Sequence, residues 1–169
     1  KIKIYFFIGR FTILNSKSSI AVICPFHNNE STIIRAAKSI FKQTLLPQEV
    51  IFVNDNSLDR SLEKLKDFLS KNTYSFLIQI ISINHSGPGH ARNVGIQSSS
   101  SNWISFIDAD DYWMKEKLMN INKVIQNNND VNFIAHDEFT INNRSEIINS
   151  KLSKYFKRKS KISTQLYYR

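Results

Sequence analysis

Three carboxylates stand within four residues at Asp108-Ala109-Asp110-Asp111, directly after the run Trp103-Ile104-Ser105-Phe106-Ile107. That aromatic and β-branched run has the composition of a buried strand. A buried sheet cannot hold three uncompensated negative charges, so the acids belong at its rim, facing water, a cation or both. Hard divalent ions such as Mg²⁺ and Mn²⁺ take oxygen ligands, commonly one or two carboxylates together with substrate phosphates. The plain alternative is that Asp110 or Asp111 caps a helix beginning near Lys115. One cap needs only one acceptor, and three are present.

Three other short stretches carry polar or special residues where an apolar run stops: Pro25-Phe26-His27-Asn28, Asn54-Asp55 and Asn84-His85-Ser86-Gly87. The turn Gly87-Pro88-Gly89 precedes a helical segment, so its backbone N–H groups can face an anion, or it is an ordinary strand-to-helix connection. Arg92, one turn further on, can reach a phosphate or pair with a carboxylate. No G-x-G-x-x-G follows the first apolar run and no G-x-x-x-x-G-K-[ST] exists, which disfavours a dinucleotide site and a P-loop. His27, His85, His90 and His136 are scattered without zinc-ligand spacing, which argues against a zinc site. No nucleophile elbow supports Ser-His-Asp hydrolysis.

The elements that must position these residues alternate. Ile20–Cys24 is a continuous apolar run stopped by Pro25 and reads as a buried strand; Asn28 or Asn29 can cap a helix carrying Ile33, Ile34, Ala37, Ile40 and Phe41. Val50–Val53 is a second strand, followed by a helix with Leu62, Leu65, Phe68 and Leu69, for which Ser57 or Asp59 is the expected cap. Phe76–Ile83 is a third strand, His90 to about Ser98 a short helix, and 103–107 the fourth strand. Leu118, Ile121, Val124 and Ile125 mark the next helix, and Val131–Ala135 reads as a fifth strand. Phe139–Ile141 and Glu146–Ile148 suggest a hairpin across a two-residue Asn142-Asn143 turn. Apolar strands alternating with helices imply βαβ units: an α/β fold with a mostly parallel sheet covered by helices on both faces. Ligands of such sheets bind beyond the carboxyl ends of the strands, where all four polar stretches would meet.

Length and composition permit one domain with a true core. The net charge of +9 is carried by the ends: residues 1–17 hold four Lys/Arg and 151–169 hold seven, neither with an acid, leaving the middle at −2. The basicity therefore says little about the core's ligand, and no nucleic-acid partner is expected. Cys24 is the one cysteine, so no intrachain disulfide can form, in keeping with a reducing cytoplasm. No apolar run is long enough to span a membrane, and the short Ile4–Ile8 run has no signal-peptide cleavage site. The domain reading is a tail or extra strand over 1–17, one ligand-binding domain over 18–150, and a basic segment over 151–169.

As a set, these stretches resemble the inverting, family 2 type glycosyltransferases of the GT-A (Rossmann-like, nucleotide-binding) fold. Residues 20–28 are similar to the family's opening strand and P-x-Y-N turn, with His27 where tyrosine is usual. Val53-Asn54-Asp55-Asn56-Ser57-Leu58-Asp59 resembles V-[ND]-D-[GN]-S-x-D, and Asn84 to Ile96 resembles N-x-G-x-x-x-A-R-N-x-G-I through Gly87, Ala91, Arg92, Asn93 and Gly95, with Asn84 one residue further from Gly87 than in the motif. Asp108-Ala109-Asp110 resembles the D-x-D metal motif, extended by Asp111 and Trp113. The resemblance covers about residues 18–148.

That resemblance implies a nucleoside diphosphate sugar as donor, most often a uridine one, and Mn²⁺ or Mg²⁺ as cofactor. Asp55 would bond the base, Pro25, His27 and Glu30 would line the nucleoside pocket, and Arg92 would orient the donor near the diphosphate. Asp108 would contact ribose or sugar, and Asp110, with Asp108 and Asp111 beside it, would hold the metal. The implied reaction moves the sugar to an acceptor hydroxyl of a glycan or lipid-linked saccharide with inversion, as in polysaccharide biosynthesis. It implies a cytoplasmic setting, with peripheral association at the inner membrane face compatible with the basic tail. The family's general base lies well downstream of the metal motif, whereas 58 residues follow Asp111 here. Asp137 and Glu138 are the nearest acids, weak candidates because they match the strand after the metal motif. Residues 151–169 then read as the start of a truncated acceptor half. The alternatives are a nucleotide-sugar-binding module without transferase activity and, further off, a nucleotidyltransferase.

Overall fold

The computed structural model describes residues 20–128 and 130–134, and the backbone of two further strands, Glu138–Ile141 and Ile147–Ser150. Four parallel strands, β1 (Ile20–Phe26), β2 (Glu49–Asp55), β3 (Leu77–Ile83) and β4 (Trp103–Phe106), form one sheet in the order β3-β2-β1-β4. Helices α1 (Ile33–Phe41), α2 (Ser61–Ser70) and α3 (Pro88–Ser98) connect them in turn. Because β1 and β2 are central, every residue of both is buried, which is why they read as unbroken apolar runs.

Period-two alternation sends successive β2 side chains to opposite faces. Ile51 and Val53 join Ile23, Ile81 and Ala91 in a core cluster beneath α3. Phe52, between them, meets Phe41 of α1 edge-on at 6.4 Å; Phe41 also stacks on Phe68 of α2 at 5.8 Å. The sheet is thus covered on both faces, as the apolar pattern required.

Gly95 lets α3 lie close against β1. A Cβ there would stand 2.5 Å from Ile23 Cγ2, a branch of a fully buried side chain that is stiff at χ1. Gly95→Ala should therefore destabilise the fold by about 1–3 kcal/mol through overpacking, exceeding the ~1 kcal/mol of helix propensity it gains. A lowered urea midpoint checks this; an unchanged or raised one would show that Ile23 can yield.

Several expectations are corrected. β1 runs through Pro25 to Phe26, pairing Pro25 with Val53 of β2. In a parallel strand N–H groups alternate between neighbours, and the Pro25 nitrogen faces the β4 side, as Ile23 does. There the ladder ends where Ile107 N–H donates to Ile23 O, so proline forfeits no bond. Thr32, not Asn28 or Asn29, is the cap residue of α1, with no side-chain cap bond. Arg60 holds the cap position of α2, while Asp59 before it accepts the Ser61 N–H at 3.0 Å.

The described residues divide into two compact units, the first containing the sheet with residues up to Lys42 and Leu46–Tyr112. The second takes Gln43–Leu45 and the residues from Trp113 onward. In it α4 (Lys117–Asn127) begins after Glu116, so neither Asp110 nor Asp111 is its cap. Gln43 ties this unit's start, donating to Met114 O at 2.8 Å and accepting the Leu118 N–H at 3.0 Å. Residues 131–134 are not a strand. β5 (Glu138–Ile141) and β6 (Ile147–Ser150) pair antiparallel, leaving five residues between them rather than a two-residue asparagine turn. No helix among the described residues is long and apolar enough to cross a membrane. The expectations for residues 1–17, 151–169, His136 and Asp137 lie outside the described residues.

Candidate functional site

The strand order reverses between β1 and β4: the chain steps from β1 outward to β2 and β3, then returns to the other side of β1. A crevice opens at such a switch point, beyond the carboxyl ends of the strands. Here it is a cavity of about 320 Å³. Pro25 and Phe26 at the end of β1, His27 and Asn29 after it, Asp55 from β2 and His85, Pro88 and Arg92 line it, with Asp108, Ala109 and Asp110 closing the other side.

At one end Asp55 is the organising charge. It is 3% exposed, so it needs partners. Its Oδ1 accepts the Ser86 N–H at 2.8 Å and its Oδ2 the Gly87 N–H at 2.9 Å. Gly87 precedes α3 with φ +86°, a left-handed conformation that suits glycine and aims that N–H at the acid. The anion that this turn's Ser86 and Gly87 N–H groups serve is thus the protein's own carboxylate. Asp55 Oδ2 also lies 3.0 Å from His85 Nδ1, and the Asp55 carbonyl lies 2.7 Å from His27 Nδ1. The two imidazoles sit 4.4 Å apart, centre to centre, tilted by 32°.

The loops after β1 and β2 brace each other. Asn28, at φ 55°, accepts the Leu58 N–H at 2.8 Å through its side-chain oxygen, while its own N–H donates to Ser57 Oγ. Asp59 accepts the Glu30 N–H at 2.9 Å. Burial raises the Asp59 carboxyl, but hydrogen bonds from the Ser61 hydroxyl and from the Ser61 and Glu30 N–H groups outweigh this and hold it below the usual carboxylate range.

At the other end Arg92 of α3 pairs with Asp108 Oδ1. The chain turns tightly, Asp111 N–H donating to Asp108 O at 3.0 Å. Arg35 of α1 donates to the Asp110 carbonyl and lies over the Tyr112 ring at 5.2 Å, fixing the loop from outside the cavity. The Asp110 side chain is exposed, with no hydrogen bond or ion pair to it among the described residues. Burial first, then the Asp108, Asp110 and Asp111 charges, push the Cys24 thiol far above its ordinary range, so it is an inert core side chain.

Of the residues expected from sequence, Pro25, His27, Asp55, Arg92, Asp108, Ala109 and Asp110 are brought to one cavity. Glu30 and Asp111 are not among its lining residues. The Glu30 carboxylate turns to α2, accepting the Arg60 N–H at 3.1 Å and standing 3.8 Å from Lys64. Glu138 opens β5. The sequence places Phe26, His85 and Pro88 in the stretches at the strand ends but assigns them no role of their own, and Asn29 only that of a helix cap. The four histidines are not all scattered: His27 and His85, 58 positions apart in the chain, converge because parallel strands end together.

The family description "Glycosyl transferase family 2" matches residues 21–168. The chain belongs to glycosyl transferase family 2. It is 32% identical over 118 residues to an uncharacterized glycosyltransferase of Haemophilus influenzae, covering 69% of this chain and 38% of that protein. It is 30% identical over 128 residues to the UDP-Glc:alpha-D-GlcNAc-diphosphoundecaprenol beta-1,3-glucosyltransferase WfgD of Escherichia coli, covering 75% and 48%. Crystal structures of S. aureus TarS 1–349 in complex with UDP and with UDP-GlcNAc each superpose with a TM-score of 0.61. Their sequence identities are 28% and 29%, with 71% of this chain covered and 36% and 35% of theirs. The chain thus spans less than half the length of these relatives. The fold is that of the GT-A glycosyltransferases. For a family 2 member the dinucleotide, P-loop and hydrolase readings fall away, and the nucleotidyltransferase alternative is left without support.

Proposed function

We propose that this family 2 chain binds a uridine diphosphate sugar with Mn²⁺ or Mg²⁺. In the protein to which it corresponds, the sugar would pass to a hydroxyl of a glycan or lipid-linked acceptor with inversion. The observation that supports this reading is the single cavity shared by Asp55 and the Asp108–Asp110 loop; on this reading Asp55 would bond the base at one end and the loop carboxylates would hold the cation at the other.

Asp55 accepts two N–H donors through its two oxygens and faces His85, leaving lone-pair capacity for an N–H of the base. The His27 ring lines the cavity beside it. Arg92, already paired with Asp108, places a fixed positive charge where a diphosphate would lie. The donor set fits a hard divalent ion: Asp110 and Asp108 would supply carboxylate oxygens, and the diphosphate the rest. Bound there, the ion would neutralise charge developing on the diphosphate leaving group. No described side chain is assigned the general base; Asp137 and Glu138 remain the candidates within this chain.

The second reading is that the chain by itself is a module that binds the donor without transferring it. Calorimetric titration of UDP, GDP and UDP-sugars with and without Mn²⁺, alongside a sugar-transfer assay, tests both. Binding of UDP that tightens with Mn²⁺ is expected; turnover would select the transferase and its absence the module. Failure of every uridine nucleotide to bind would overturn both readings.

A further inference from the structure

We propose that His27, Asp55 and His85 form a second metal site at the base end of the cavity, one that takes a borderline transition ion such as Zn²⁺ or Co²⁺ and, when filled, excludes the nucleoside. The three side chains come from the ends of β1 and β2 and from the turn after β3, and their donor atoms lie within 4.8 Å of one another. Two imidazoles and one carboxylate are the donor chemistry of zinc, copper, nickel and cobalt, unlike the all-oxygen set of Asp108 and Asp110.

Three details favour a metal here over a chance meeting of polar groups. First, His85 Nδ1 and Asp55 Oδ2 already stand 3.0 Å apart. Two bonds of about 2.0–2.1 Å at a tetrahedral angle place an N···O pair at ~3.3 Å, so an ion fits between them with little movement. Second, His27 Nδ1 lies 2.7 Å from the Asp55 carbonyl. A ring N–H given to a backbone carbonyl is the outer contact that fixes the tautomer of a metal-binding histidine and leaves Nε2 as the ligand. That Nε2 now faces the exposed Asn28 amide at 3.1 Å, a partner easily exchanged. Third, the Ser86 and Gly87 N–H groups orient the Asp55 carboxylate as a ligating carboxylate needs. The His85 side chain is 58% exposed, which gives the ring freedom to close and the ion a path in.

The metal site stands on these three side chains alone; only the exclusion of nucleoside rests on the reading of Asp55 and His27 as the base pocket. Co²⁺ is the probe for the first claim, through the visible ligand-field absorption of an imidazole-bound ion on the 169-residue chain. Zn²⁺ competing with UDP in calorimetry is the probe for the second. Expected are Co²⁺ bands lost in His85→Ala and His27→Ala but kept in Asp110→Ala. Zn²⁺ affinity should fall about tenfold or more in either histidine variant. Saturating Zn²⁺ should weaken UDP binding at least about tenfold in the parent chain and leave it unaltered in His85→Ala, circular dichroism confirming that the variants are folded. Bands that survive both histidine substitutions, or vanish with Asp110, overturn the site. Bands as expected with UDP affinity indifferent to Zn²⁺ overturn the exclusion. Bands as expected with no UDP binding under any condition support the metal site and overturn the nucleoside reading instead.

Discussion

Asp55→Ala should reduce UDP affinity by at least about 100-fold, with or without Mn²⁺, and lower the melting temperature as well. The reason lies in how many groups converge on one buried carboxylate. It accepts two backbone N–H groups from the turn before α3 and faces His85. Hydrogen bonds to a charged acceptor contribute about 1.5–3 kcal/mol each. Removing the acid leaves both N–H donors seeking water and frees the Gly87 turn, which shapes one wall of the cavity through Pro88. A contact to the base is lost on top of this. Asp55→Asn separates the contributions: its amide keeps one acceptor but turns an NH₂ toward a backbone N–H, so a substantial loss, smaller than for alanine, is expected. Calorimetry with UDP and a thermal melt of each variant check both parts. Near-parental affinity in the alanine variant would remove Asp55 from the nucleoside pocket and leave it a turn organiser only.

What could be read from the chain, and what could not, divides along a physical line. Composition and periodicity reveal what each segment does to its immediate environment. β1 and β2 must be buried on both faces, so their unbroken apolar runs are visible without coordinates. The same logic puts Asp108, Asp110 and Asp55 at a sheet rim, because burial of unpaired charge is too costly elsewhere. Contacts decided by register are invisible in this way. His27 and His85 meet only because β1, β2 and β3 are parallel and end level with one another, and no spacing rule encodes that. Pro25 looked like a strand terminator since the side its nitrogen faces was unknown. The caps expected at α1 and α2 differ for a related reason: Asn28 and Asp59 carry good capping side chains, but their acceptors are spent bracing neighbouring loops and turns. Glu49 makes the point again at the opposite end of the sheet. A glutamate opening an apolar strand carries no signal, yet its Oε1 gathers the N–H groups of Ser100 and Ser101 at 2.9 and 3.0 Å.

Asp110→Ala should act differently from Asp55→Ala, and the difference is the sharper test of the site. Nothing among the described residues holds the Asp110 carboxylate, whereas its backbone is held twice over: Arg35 takes the carbonyl, and the Asp108–Asp111 turn closes around it. Losing the side chain therefore leaves the loop in place, and stability should stay within about 0.5 kcal/mol, as for other exposed substitutions. What disappears is one of the two carboxylates that the 108–110 loop brings to the cavity, and Arg92 already neutralises the other. The remaining oxygens are too few and too little charged to hold Mn²⁺ against water. UDP should consequently bind the variant in the presence of Mn²⁺ only as well as it binds the parent chain in EDTA. The metal-dependent increment, of the order of 10- to 100-fold or about 1.4–2.8 kcal/mol, should be gone. Parallel titrations with Mn²⁺ and with EDTA measure that increment directly. If Mn²⁺ still tightens UDP binding to the variant as it does to the parent, the cation is held elsewhere, and the assignment of the Asp108–Asp110 loop fails with it.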